Sequence, residues 1–248
     1  MSRNLCLILE YDGTEYKGWQ VQPDVRTVQD EVERAVARLF GRQIRITAAG
    51  RTDTGVHALG QVANFTVEGG PPTSIVARAL NGILPSDVVV RRIREVPAEF
   101  NARRHATLRE YEYRIVRRRS AVGRHYAWHY LGDLDLPSMR SAAALLTGHR
   151  DFTSFCVAAH ERDNRFCDVA SAKWTVDEGL VFRVEANRFL RGMVRAIVGT
   201  LVQVGRGTRS VADIGAILDA HDRGAAGPAA PPEGLFLKRV DYDLFKGA

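Results

Sequence analysis

Cysteine is scarce in this 248-residue chain. Its three cysteines, Cys6, Cys156 and Cys167, are odd in number and widely spaced, which argues against a disulfide framework and against a Cys-x-x-Cys zinc site. That usage fits a reducing cytoplasm. Long apolar runs are missing as well. The run over residues 5–9 is far too short for a signal peptide or a membrane span, so a soluble, untargeted protein with no membrane partner is expected. Lysine is confined to Lys17, Lys173, Lys238 and Lys246, which leaves the basic side chains almost all arginine. No Walker loop occurs, and Gly205-Arg206-Gly207 follows a helical pattern instead of the strand that a dinucleotide site needs. Neither Ser-His-Asp nor Cys-His catalysis has a signature. His125 and His129 have the spacing of a helical zinc pair, but Tyr126, Trp128 and Tyr130 around them read as strand and no carboxylate follows in register. Neither a metal nor a nucleotide cofactor is expected.

What is present is an ordinary globular composition, 45% hydrophobic and 26% charged, which argues against a disordered or fibrous chain. The length suits one large domain or two small ones, and two is the expectation. The net charge of +6 and pI near 9.5 suit an anionic partner, whose phosphates arginine pairs with through a planar fork. A coding bias toward arginine would produce the same composition.

Periodicity predicts a strand over residues 4–11 and a helix started by Thr27, with Val28, Val32, Ala35 and Leu39 on one face and Gly41 as its stop. A strand over 44–49, a glycine-punctuated loop over 50–60 and a returning strand over 61–67 follow. A helix over 74–80 and a strand over 88–93 complete a β-α-β-β-α-β order of ferredoxin-like type. The second half repeats the theme, with a strand over 109–116, a helix over 137–146, a hairpin of 170–176 with 180–186, and a helix over 190–204. The fold class is therefore α+β, two ferredoxin-like halves with antiparallel sheets around a central cleft, divided near His105 into 1–105 and 106–248. Alanine and proline dominate residues 224–232, which read as a flexible or extended connector before a last strand over 234–240.

The stretch that carries chemistry is Gly50-Arg51-Thr52-Asp53-Thr54-Gly55-Val56-His57. A carboxylate stands between a cation and two glycines at a strand-to-strand connection, where glycine permits positive φ and close approach of a ligand. An apposed guanidinium keeps such a carboxylate ionised, and an ionised, desolvated Asp is a competent nucleophile or base. An Asx-turn with Arg51 answering its charge would carry the same residues.

The string Gly-Arg-Thr-Asp-x-Gly-Val-His closely resembles the active-site loop of the tRNA pseudouridine synthase A family. The resemblance runs along nearly the whole chain, through Tyr11-Asp12-Gly13, Gly18-Trp19-Gln20, Gly60-Gln61-Val62, Phe100-Asn101-Ala102-Arg103 and Arg109-x-Tyr111-x-Tyr113. It continues in Asp151-Phe152-Thr153-Ser154-Phe155, Met193-Val194-Arg195-x-Ile197-Val198-Gly199 and Glu233-Gly234-Leu235-x-Leu237. It departs at Thr54, where relatives more often carry Ala or Lys, and along residues 160–168, where the match is loose.

The resemblance implies an enzyme that isomerises uridine to pseudouridine at positions 38, 39 and 40 of the tRNA anticodon stem-loop, acting as a homodimer without a cofactor. It makes Asp53 the catalytic carboxylate and Arg51 the residue that fills space beside the flipped-out nucleotide. Tyr111 lies against the target base, where a plain core tyrosine would look the same. Arg195 pairs with the catalytic carboxylate, unless it reaches solvent at the helix edge. Leu237, Gly55, Val56 and His57 bound the uracil pocket, although an ordinary core leucine would look the same as Leu237. Arg91, Arg92, Arg103, Arg104, Arg117 and Arg118, with Arg51, are candidate phosphate contacts, although a charge run is also a solvated face. A non-catalytic RNA-binding or tRNA-folding protein with two modules like RNA-recognition motifs is the alternative.

Overall fold

The computed structural model describes residues 2–157 and 164–245. Of the loosely matching segment 160–168, residues 160–163 lie outside the described residues. The chain forms two compact units, one running to Thr107 and resuming at Phe236, the other spanning Leu108–Leu235. No helix among the described residues is long and apolar enough to cross a membrane.

The first unit follows the expected order: β1 (Ser2–Tyr11), α1 (Val28–Phe40), β2 (Thr47–Ala48), β3 (His57–Glu68), α2 (Thr73–Asn81) and β4 (Val88–Val96). β1 lies between β3 and β4 and is antiparallel to both. Being central, it is buried on both faces. Cys6 joins Val62, Val96, Phe100, Ala102 and Tyr242 on one side, while alternation turns the fully buried Leu5, Leu7 and Leu9 to the other. α1 ends as predicted, with Gly41 in the left-handed region and its N–H on the Ala37 carbonyl at 2.8 Å. Its start differs: Thr27 holds the capping position, but its hydroxyl is buried and makes no capping bond.

The strand expected over 44–49 shrinks to Thr47–Ala48, paired with Asn64 and Ala63. The loop expected over 50–60 is shorter, because β3 already begins at His57. Gly60 reads locally as loop, yet it lies within the strand, and glycine is required there because a β-carbon would sit 2.6 Å from the Lys238 carbonyl oxygen.

The second unit contains β5 (Ala106–Val116), β6 (Trp128–His129), α3 (Leu136–Ala144), β7 (Gly148–Asp151), β8 (Phe166–Val176), β9 (Leu180–Ala186), α4 (Met193–Gly205) and α5 (Asp213–Ala220). Its sheet has the order β5-β9-β8-β7, antiparallel throughout, with β6 parallel to β5. α4 starts three residues later than the apolar spacing suggests, since Gly192 takes a left-handed conformation just before it. β6 falls where Tyr126, Trp128 and Tyr130 read as strand, whereas the short β7 and helix α5 have no counterpart in the sequence reading.

The Ala/Pro stretch, expected as a flexible or extended connector, is packed and hydrogen-bonded within its unit. Ala226 and Ala230 are buried, the Gly227 N–H donates to Thr200 Oγ1 at 2.9 Å, and the Tyr113 hydroxyl donates to the Pro231 carbonyl at 2.7 Å. It is a strap bound along α4. The last strand, β10 (Leu235–Tyr242), runs parallel to β3, with Phe236 opposite His57 and Leu237 opposite Ala58. It therefore belongs with the first unit, where the sequence division at His105 put everything downstream in the second half.

Candidate active site

Residues 50–56 form a loop between the short β2 and β3, pinned from beneath along its length. Thr52 is buried, and its Oγ1 lies 2.8 Å from the phenol of Tyr11, the last residue of β1. Gln61, fully buried in β3, donates through Nε2 to the Gly50 carbonyl at 2.8 Å and to the Tyr11 hydroxyl at 3.5 Å. Burial pushes the Tyr11 phenol up to about 12, against bonds from Thr52 and Gln61 that lower it, so the group stays a protonated donor at neutral pH.

A second segment, residues 12–19, holds the loop from the side. The Trp19 N–H donates to the Thr52 carbonyl at 3.0 Å and the Gly55 N–H to the Tyr16 carbonyl at 3.3 Å. Two glycines allow this approach. A β-carbon at Gly13 would lie 2.0 Å from the Val56 carbonyl oxygen, and one at Gly18, where φ is +92°, would lie 2.8 Å from that of Thr52. Tyr16 is itself fixed, since its hydroxyl donates to Asp87 at 2.6 Å while Arg26 lies 4.3 Å above its ring and pairs with Asp87 at 2.9 Å.

On this frame the loop closes on itself, with the Val56 N–H on the Asp53 carbonyl at 3.1 Å and Gly55 at φ +75°. Arg51 is exposed and Asp53 half-buried, so both side chains stand on the outer side of a loop whose Thr52 points inward. The arrangement presents a carboxylate and a guanidinium on a backbone held by these hydrogen bonds.

Other expected site residues occupy different positions. His57 is 1% exposed: its Nδ1 accepts the Gly13 N–H at 3.0 Å and lies 3.1 Å from Asp12, while its ring stacks on Phe236 at 4.7 Å. It is thus a loop anchor beneath the surface. Val56 is buried as well, and Leu237 is fully buried in β10, one register step beyond His57. Tyr111 and Arg195 belong to the second unit. Tyr111 is 8% exposed on β5, on the same face as Tyr113 and Ile115, with its ring edge-on to Phe189 at 5.0 Å. Arg195 is half-buried in the first turn of α4, and its Nε donates to the Ala230 carbonyl at 2.7 Å.

Of the arginines read as phosphate contacts, Arg91, Arg92, Arg103, Arg104, Arg117 and Arg118 are all exposed. Arg91 lies 3.5 Å from Glu10, and Arg117 pairs with Asp133 at 2.5 Å. The turn bearing Arg103 and Arg104 is shaped by Asn101, whose Oδ1 accepts both of their backbone N–H groups at 3.0 Å. It borders a concavity of about 700 Å³ that also involves Arg42, Arg45 and Asn101 and does not include the 50–56 loop. His129 lies in β6, so it and His125 do not share a helix.

Sequence reasoning missed Tyr11, Thr52 and Gln61 as the supports of the loop. The available signal was a glutamine at an inward position of an otherwise apolar strand.

A sequence-family profile described as tRNA pseudouridine synthase matches residues 7–103 and 142–243. The chain belongs to that family. The tRNA pseudouridine synthase A of Geobacillus sp. (strain WCH70) is 43% identical over 247 residues, covering 98% of this chain and 100% of the relative. That of Geobacter sulfurreducens is 44% identical over 243 residues, covering 97% and 100%. That of Bacteroides thetaiotaomicron is 41% identical over 245 residues, covering 96% and 91%. In this tRNA pseudouridine synthase the 50–56 loop lies within a segment that the profile covers.

Proposed function

We propose that this tRNA pseudouridine synthase isomerises uridines 38, 39 and 40 of the anticodon stem-loop, with Asp53 as the carboxylate that acts on a flipped-out uridine. The observation that carries the reading is a half-buried Asp53 beside an exposed Arg51 on a loop whose Gly50 and Thr52 are held from beneath by Gln61 and Tyr11. The reaction breaks the N1–C1′ bond, turns the uracil and joins C5 to C1′; the C5 hydrogen leaves as a proton and N1 gains one. No redox partner or group donor enters. Flipping costs a few kcal/mol, which contacts to the everted base must offset. Arg51 fills the space left by the base, Tyr111 and Leu237 bound the uracil with Gly55 and Val56, and Arg195 supplies a second cation for the reaction. His57 supports the loop from below. The exposed arginines 91, 92, 103, 104, 117 and 118 contact phosphates, which suits their planar donors. The working form is a homodimer in the cytoplasm, where tRNA is found and where the buried free thiols stay reduced.

Tritium release from C5 of uridine in a tRNA transcript tests this, because the isomerisation must expel that hydrogen. The wild-type protein is expected to release label and Asp53→Asn to release none while still binding tRNA. Binding without release by the wild type would favour the RNA-binding alternative, and release by Asp53→Asn at the normal rate would remove the catalytic role of Asp53.

A further inference from the structure

We propose that Tyr11 is a positioning residue for the reaction: its buried phenol, set between Gln61 and Thr52, holds the loop backbone so that Asp53 is aimed at the substrate. The inference rests on the reading of Asp53 as the catalytic carboxylate.

Three polar side chains, Tyr11, Thr52 and Gln61, meet beneath the loop, none more than 5% exposed. An apolar trio would fill that space without the cost of desolvating three polar groups, so the bonds among them must offset the cost. Gln61 donates to the phenol oxygen, and a second hydrogen bond joins the phenol to Thr52 Oγ1. The chain starts on a rigid strand and ends on the residue preceding Asp53. Gln61 also grips the Gly50 carbonyl, so the residues three and one positions before Asp53 are tied to the same strand.

The strand pairing is adapted to this contact. β1 and β3 pair regularly as far as Leu9 with Gln61, and then the register shifts so that Tyr11 faces Ala58. An irregularity of that kind re-aims the side chain beyond it, here the one that reaches the loop. Tyr11 touches the loop through Thr52, and tRNA affinity depends on the exposed arginines. Loss of the phenol oxygen should therefore slow the chemical step and leave binding intact, since small misplacements of a reacting group are costly in rate.

The test compares Tyr11→Phe with Tyr242→Phe by tritium release from labelled tRNA and by thermal unfolding. Tyr242 is a matched control: its buried hydroxyl donates to the Ala102 carbonyl at 2.7 Å in the same unit. Tyr11→Phe is expected to lose roughly 10-fold or more in kcat with an unchanged KM. Tyr242→Phe should keep the wild-type kcat at a similar loss of Tm. Thr52→Val should reproduce the kinetic defect, and the double variant with Tyr11→Phe should be no slower than the worse single, because the two remove one interaction. A kcat for Tyr11→Phe within about twofold of wild type would overturn the inference, as would multiplying defects in the double variant or an equal defect in Tyr242→Phe. Silence of the wild type itself would instead strike the functional reading, and this inference with it.

Discussion

Arg195 and Ala230 hold each other twice. The Ala230 N–H donates to the Arg195 carbonyl at 2.9 Å, and Arg195 Nε donates back to the Ala230 carbonyl at 2.7 Å. A helix residue whose cation is expected to serve catalysis is thereby oriented by the segment that local composition reads as a loose connector. The strap sets the direction in which the Arg195 side chain leaves α4.

The closeness of strap and helix predicts the sign of one substitution. A β-carbon at Gly199 would lie 1.8 Å from the Pro228 carbonyl oxygen. In a free helix Gly→Ala stabilises by about 1 kcal/mol. Here Gly199→Ala is expected to destabilise by about 1–3 kcal/mol, because the strap must lift off. Urea unfolding decides it, since a raised midpoint would mean that the strap does not lie against α4.

Stability should decline in alkali. Burial pushes Cys6 and Tyr11 up to about 12 and Cys167 up to about 11, from ordinary values of 9.0 for the thiols and 10.0 for the phenol. Groups whose folded pKa is raised stabilise the fold fully below the unfolded value and lose that contribution as pH climbs through the folded one. Unfolding free energy should thus be level to about pH 9 and fall between about 9 and 12. Tyr11→Phe should flatten the upper part of that fall. Urea titrations across the range would contradict the assignment if stability rose with pH.

Salt dependence should report on a basic hollow in the second unit. Residues 117–132 include no acidic side chain, and Arg119 and Arg124 line a cavity of about 530 Å³ together with His129 and Leu131. Arg119→Ala and Arg124→Ala are each expected to weaken tRNA binding and to lower the slope of log affinity against log salt by about 1. Filter binding at several salt concentrations measures the slope, and an unchanged slope in both variants would take the hollow out of the RNA contact.

Much of this protein was legible along the chain. The burial of β1, the glycine stop of α1, the hairpin of β8 with β9 and the Arg51-Thr52-Asp53 loop all depend on residues close in sequence. Their periodicity, turn chemistry and motif are visible without a partner.

Where the reading and the structure part, the deciding contact is distant in sequence. Gly60 looks like loop until Lys238 lies against it, and His57 looks like a ligand residue until Gly13, Asp12 and Phe236 enclose it. β10 joins the first unit only because its parallel partner was laid down some 180 residues earlier. The residue types, their periodicity and the acidic loop were determined by sequence alone. The supports of that loop, the course of the strap and the membership of the last strand were decided in three dimensions, because hydrogen-bond partners and close backbone approaches leave no local pattern in the chain.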